Sequence, residues 1–243
     1  GKGLFASRRH ILTIAVWFLA TLGIAHAFDR APKIAHFSTD ARDAGFVLDE
    51  SGSLPRVRFD GDQEVLAAWW RPAAGGDRIL VRDDGVLILR QNVGGGLTLF
   101  TAQFPMGVPV TFDRPAMPLE GPPPPIDTLR DTAREASANA TSRLGVPVRF
   151  EGAWDSASDD AGLRAILFDA VQNADAAIRT ISADPAARAG VARSLRAVRF
   201  MQGVRAGVTR QRNAAVIVYT LEHGVAARPS SYRMANELKL QFR

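Results

Sequence analysis

Through residues 45–112, short apolar runs alternate with turn clusters at close spacing. The runs are "FVLDE" (46–50), "RVRFD" (56–60), "VLAAWW" (65–70), "RILVR" (78–82), "VLILR" (86–90) and "LTLFT" (97–101). Between them stand Ser51-Gly52-Ser53, Asp60-Gly61-Asp62, Gly75-Gly76-Asp77, Asp83-Asp84-Gly85 and Gly94-Gly95-Gly96. Gly and Asp supply the backbone conformations that tight turns need. Asp84-Gly85 between two apolar runs is a hairpin signal. "RVRFD" alternates, so one of its faces is wet; "VLIL" does not, so both of its faces are covered. The pattern predicts an antiparallel meander, sandwich or small barrel. Residues 28–43 read as a polar, irregular lead-in.

"PAMPLEGPPPPID" (115–127) breaks the pattern. Four consecutive prolines fit neither a helix nor a central strand and favour an extended spacer. Beyond it the period changes. Ile126, Leu129, Ala133, Ala136 and Ala140 recur at helical spacing, and Gly145 ends that helix. "VPVRFEGAW" (146–154) reads as a strand. The apolar stripe of Leu163, Ile166, Leu167, Ala170, Val171, Ala174, Ile178 and Ile181 predicts a central helix over residues 160–181. Asp184-Pro185 places an N-cap and a first helical residue, and the third helix is expected to reach Phe200. "GVTRQ" and "AAVIVYTLE" suggest a β-pair, and Ser230-Ser231 opens a final helix. The expected fold class is α+β, an antiparallel β-rich N-terminal region followed by a helical α+β C-terminal region. The expected organisation is a signal peptide at 1–27, a β-rich domain at 28–114, a proline-rich linker at 115–127 and an α+β domain at 128–243.

The leader expectation rests on Arg8 and Arg9, an uncharged run over residues 11–25, and the small residues of Ala25-His26-Ala27. That run is shorter than the roughly 20 apolar residues that span a bilayer. A basic start, a short apolar run and an A-x-A end describe a secretory signal peptide. Ser7-Arg8-Arg9-His10-Ile11-Leu12 also resembles a twin-arginine export motif. The expected location is periplasmic or secreted after cleavage near Ala27, or membrane-anchored if residues 1–27 stay.

Charge sharpens the two-part picture. The whole chain carries net +5. Residues 28–127 hold 10 basic and 14 acidic residues, and residues 128–243 hold 17 and 11. With no Cys there is no disulfide, thiol nucleophile or zinc–thiolate site. No H-E-x-x-H, G-x-S-x-G or S-x-x-K motif occurs, and His36 and His223 stand outside any recognisable pattern. Gly94-Gly95-Gly96 lacks the Lys-Ser/Thr of a phosphate loop and reads as a turn. Ser230 and Ser231 read as caps. Trp69 and Trp70 are neighbours on a strand, so they face opposite ways. No catalytic residue, cofactor or metal is expected. Glu151 and Asp155 are the carboxylates an envelope hydrolase acting on glycan or peptide would use, although an extended strand would hold them roughly 13 Å apart.

The sharpest feature is basic. Between Asp184 and Glu222 no acidic residue occurs, and seven arginines do. On a continuous helix Arg188, Arg193, Arg196 and Arg199 would share one arc, opposite Val191, Leu195 and Val198. Guanidinium forks suit phosphate and carboxylate. The partner this suggests is an anionic envelope component: peptidoglycan, lipopolysaccharide, phospholipid or an acidic protein. Nucleic acid is not expected for an exported chain.

The stretches "FVLDESGSLPRVRFDGD", "GGLTLFTAQFPMGVPV", "VQNADAAIRTISADPAARAGVARSLRAVRF" and "RPSSYRMANEL" resemble a family of uncharacterised exported proteins of alphaproteobacteria, a domain of unknown function. The resemblance implies export and carries no activity, cofactor or site residue. The sequence reading is a non-enzymatic binding or scaffolding module of the envelope. Its alternatives are a periplasmic hydrolase and a membrane-anchored assembly factor.

Overall fold

Eight short strands follow one another through the N-terminal half and close on themselves. The computed structural model describes residues 32–40, 42–222 and 224–243. The expected leader and His223 lie outside the described residues. The strands are β1 (Ile34–Ser38), β2 (Gly45–Asp49), β3 (Arg56–Phe59), β4 (Leu66–Pro72), β5 (Arg78–Arg82), β6 (Leu87–Gln91), β7 (Leu97–Leu99) and β8 (Val108–Pro115). Each pairs antiparallel with the next, and β1 pairs with β8 to complete a closed barrel. Side chains alternate across the wall. Phe46, Leu48, Ala68, Leu80 and Leu99 fill the interior, with Phe37 stacked on Phe46 at 5.6 Å between ring centroids. A small barrel has an interior just wide enough for such side chains. Closure also removes the exposed edges that an open meander would leave.

One expectation changes here. The lead-in over 28–43 contains β1, a full wall strand. Its signal is short and mixed: Ala35 and Phe37 face inward while His36 and Ser38 face out, all four buried. The wall also needs β8, which ends at Pro115. The Gly94–Gly96 turn is as expected, with Gly95 at φ 87° and its N–H donated to the Asn92 carbonyl.

The proline-rich segment runs extended along the barrel as a strap. Ala116 N donates to Ile34 O at 3.1 Å, and Leu119 N donates to Asp49 Oδ2 at 3.1 Å. Glu120 pairs with Arg56 at 3.0 Å. At its far end Pro124 O accepts from Arg164 Nε at 3.0 Å.

The C-terminal half builds α1 (Ile126–Leu144), β9 (Arg149–Glu151), α2 (Ala161–Ser182), α3 (Pro185–Ser194), β10 (Ala197–Gln202), β11 (Gly207–Gln211), β12 (Ala214–Tyr219) and α4 (Ser231–Gln241). The sheet order is β11-β12-β10-β9, with β9, β10 and β12 parallel and β11 antiparallel to β12. Helix α2 is central, as its wide stripe predicts: Leu167, Ala170, Val171, Ala177, Ile178 and Ile181 are fully buried, and it packs on α1 and α4. Asp160 caps it by accepting from Leu163 N at 2.9 Å. Gly145 ends α1 in the left-handed conformation that glycine adopts without penalty. The fold is therefore α+β, and the described residues belong to one compact unit. Among them no helix is long and apolar enough to cross a membrane.

The third helix is shorter than its periodicity suggests. It stops at Ser194, Leu195 is extended, and residues 197–202 become β10. The reason is pairing on both sides: Val198 lies between Phe150 of β9 and Ala215 of β12. A central parallel strand satisfies its backbone in two ladders and buries Val198 and Phe200, and this outweighs helical spacing. The arc of Arg188, Arg193, Arg196 and Arg199 is consequently absent. Only Arg188 and Arg193 remain on the helix.

Candidate functional site

One end of the barrel is a mouth framed by the β1–β2, β3–β4, β5–β6 and β7–β8 loops. The concavity there has a volume of about 780 Å3. Its apolar lining comes from Phe59, Leu87, Ile88, Leu99 and Phe100, and Asp43, Asp60 and Asp62 line it as well. The chain reaches the mouth from both halves. Tyr232, in the first turn of α4, lines the same concavity, with the Arg82 guanidinium 3.8 Å from its ring centroid. Arg82 also bonds Asp84 at 2.8 Å, which leaves the rim with more carboxylate than free cation. Burial raises the Tyr232 phenol above its ordinary value, and the Asp62 charge adds to this. The hydroxyl is thus a hydrogen-bond donor at neutral pH.

The rim is held by a buried histidine. His36 faces outward from β1 beside a bulge. Its Nε2 lies 2.9 Å from Asp60 Oδ2 and its Nδ1 3.0 Å from Asp113 Oδ2. Each ring nitrogen thus faces a carboxylate, which only accepts. Gly45 makes room for it. A Cβ at residue 45 would stand 2.4 Å from Asp60 Oδ2 and 3.0 Å from the His36 ring. Gly45→Ala is therefore expected to dislodge Asp60 and cost about 1–3 kcal/mol. Urea unfolding of the variant measures this, and an unchanged midpoint would show that the rim gives way freely.

Carboxylates from the mouth loops also hold α4. Asp83 accepts from Ser230 N at 2.8 Å and from Ser230 Oγ at 2.5 Å. Glu64 accepts from Ser231 N at 2.8 Å and from the Ser231 hydroxyl. Ser230 Oγ in turn accepts from Arg233 N at 3.1 Å. The capping role expected of Ser230 is found, and two barrel carboxylates extend it. Burial raises the Glu64 carboxyl above its ordinary value despite the bonds from Ser231 and the nearby Arg228 charge.

The residues singled out in the sequence fare unevenly. Arg199 is on β10 and donates from Nε to Glu151 Oε2 at 2.8 Å. Arg196 turns back on its own chain, donating from Nη1 to the carbonyls of Ala192 and Leu195. Arg188 and Arg193 are exposed on α3. Glu151 is held ionised: the Arg199 hydrogen bond, with Arg149 behind it, keeps its carboxyl below the ordinary value although burial opposes this. Asp155 bonds Arg130 at 2.9 Å and is open to solvent. The Glu151 carboxyl, held below its ordinary value, lacks the raised affinity for protons that a general acid needs. Trp69 and Trp70 do face opposite ways. Trp70 packs against the barrel core and donates to Glu50 at 2.7 Å, while Trp69 lines a cleft outside β4. Among the described residues no group of three or more His, Asp or Glu side chains could hold a metal ion.

Sequence reasoning passed over Glu64, Asp83, Gly45 and Arg228. Their partners lie far along the chain, 147 residues away for Asp83 and 167 for Glu64. The available signal was "RPSSY" itself, where two adjacent hydroxyls need only one cap.

No curated protein matches the chain, and no solved structure does. One family model covers residues 20–238, most of both halves, and the chain belongs to that family, DUF4908, described as a domain of unknown function.

Proposed function

We propose that the protein is a non-enzymatic ligand-binding component of the cell envelope, and that its ligand sits in the mouth of the barrel. The observation that carries this reading is the concavity of about 780 Å3 with aromatic and aliphatic walls and three aspartates around it. Small-molecule sites are mostly apolar clefts of roughly 300–1,000 Å3 with a few placed polar groups, and barrel mouths are a common position for them. The walls suit an apolar body. The aspartates and the Tyr232 hydroxyl suit a head that carries hydrogen-bond donors or positive charge.

Calorimetric titration with decylamine, using decan-1-ol as the uncharged control, tests the site. Decylamine is expected to bind at least tenfold more tightly than the alcohol. The pair Asp60→Asn and Asp62→Asn should remove most of that difference. Equal affinity for amine and alcohol, or an unaffected variant, would defeat the reading.

The envelope location rests on the pattern of residues 8–27. Cell fractionation followed by intact mass decides it. A soluble periplasmic species lacking residues 1–27 supports export with cleavage. A full-length species in the membrane fraction makes residues 11–27 an anchor and points to neighbouring membrane proteins as partners.

A further inference from the structure

A second concavity, of about 510 Å3, lies between the outer wall of the barrel and the C-terminal half. Leu54, Ala67 and Trp69 line it from the barrel side, and Val204, from the β10–β11 turn, stands fully exposed on the other. Thr220, Arg205, Arg228 and Arg233 also line it. Among the described residues two buried side-chain polar atoms have no hydrogen-bond partner, Thr220 Oγ1 and Arg228 Nε. Both belong to this one cleft. Leaving a buried polar atom unpaired costs about 1–3 kcal/mol, and more for a charged group.

Arg228 is 4% exposed. Its Nη2 is committed, donating to Val65 O at 2.9 Å and to Asp169 Oδ2 at 3.2 Å. Its Nε–H has no such outlet. Arg205 and Arg233 have no side-chain acceptor among the described residues. Among the described residues Asp83 is the one carboxylate lining the cleft, and both of its oxygens are taken by Ser230. The cleft therefore offers an acceptor the more open guanidinium groups of Arg205 and Arg233, with the unpartnered Arg228 Nε–H and Thr220 hydroxyl buried in its wall, beside an indole and aliphatic surface.

We infer that this cleft binds an oxyanion-headed amphiphile, with the head, a phosphate monoester, among Arg205, Arg228 and Arg233 and the chain along Trp69 and Val204. Guanidinium forks match phosphate oxygens in pairs. The apolar wall explains why a bare anion would not be enough. The inference is independent of the barrel mouth, which faces the opposite kind of head.

The test is calorimetric titration of the full chain with decyl phosphate, with inorganic phosphate alongside. Wild type is expected to bind decyl phosphate at least tenfold more tightly than inorganic phosphate. The surface pair Arg205→Gln and Arg233→Gln should weaken decyl phosphate at least tenfold while leaving decylamine binding unchanged. Arg228→Lys keeps the charge and removes the planar fork, so it should weaken binding too; if that variant does not fold, the surface pair still decides. Co-sedimentation with phosphatidic acid vesicles would place the head on a membrane lipid. Its absence, with decyl phosphate still bound, would place it on a free amphiphile, and either result supports the cleft. Three outcomes overturn the inference: no heat with decyl phosphate, which would leave water as the partner of Thr220 and Arg228; inorganic phosphate binding as tightly; or an unaffected surface pair.

Discussion

Asp49→Asn is expected to lower the unfolding free energy by about 3 kcal/mol at neutral pH. Asp49 is fully buried at the end of β2. It accepts from Ser51 N at 3.0 Å, from Ser51 Oγ at 2.6 Å and from Leu119 N at 3.1 Å, with Arg56 Nη1 at 3.5 Å. An amide turns an acceptor into a donor and sets it against donors already in place. The proline-rich strap loses its anchor in the same step. Burial alone would raise the Asp49 carboxyl, but the two Ser51 bonds, Leu119 N and the Arg56 charge outweigh it and hold the carboxyl below its ordinary value of 3.8. The folded state therefore binds this proton less readily than the unfolded state. The stabilisation is complete above the ordinary value and is lost as pH falls through the lower, folded one. Urea unfolding of both proteins at pH 7 and at pH 3 measures it. The gap should be full at pH 7 and smaller at pH 3; a gap independent of pH would mean that the loss is steric.

The second large effect is at the seam between the halves. Glu64→Ala leaves Ser231 N and its hydroxyl without their acceptor in a buried place, at a cost of about 2–3 kcal/mol. Pairing it with Ser231→Ala in a double-mutant cycle should give a coupling of about 1–2 kcal/mol, because the second change removes one of the stranded donors. Additive effects would show that Glu64 acts through something other than Ser231. The pH dependence has the sign opposite to that of Asp49. Burial raises the Glu64 carboxyl, helped by Asp83 and opposed by Ser231 and Arg228. The folded state holds this proton more tightly than the unfolded one, so the Glu64 contribution improves as pH falls from the raised value towards 4.5. Relative to Glu64→Gln, which does not titrate, wild type should gain stability as pH falls from neutrality to the ordinary value of 4.5. A flat difference over that range would contradict the burial argument.

Much of the fold can be read along the chain because its signals are local. Strands β2 to β7 lie between glycine- and aspartate-rich turns, and α2 carries an unbroken apolar stripe. What escaped is what depends on distant partners. Closure of the barrel is invisible without β1, and β1 is marked only by Ala35 and Phe37 around a histidine whose partners are Asp60 and Asp113. The end of α3 escaped because "RAVRF" satisfies helical spacing and strand alternation equally, and only the ladders to Phe150 and Ala215 decide between them. The arginine arc failed for the same reason. Arg199 meets Glu151, and Arg196 meets its own backbone, once the chain turns. Of the residues at the mouth and cleft, Trp69 was legible only as one of a pair facing opposite ways, because alternation alone does not say which of the two is outward. Arg228 was not, because nothing in "ARPSSY" reveals that its side chain is buried against Val65.

The β1–β8 seam also sets an order of events. It joins residues 35–38 to residues 111–115, so the wall cannot close until the chain is available through Pro115. The cap of α4 waits longer still, since its acceptors at Glu64 and Asp83 must already be placed when Ser230 and Ser231 arrive. Pairings of such long sequence separation slow folding. A chain delivered from its N-terminus would hold seven strands with two unpaired edges while it waits for the eighth, and such edges are where nascent chains join one another. Protection by a chaperone would matter most during that interval.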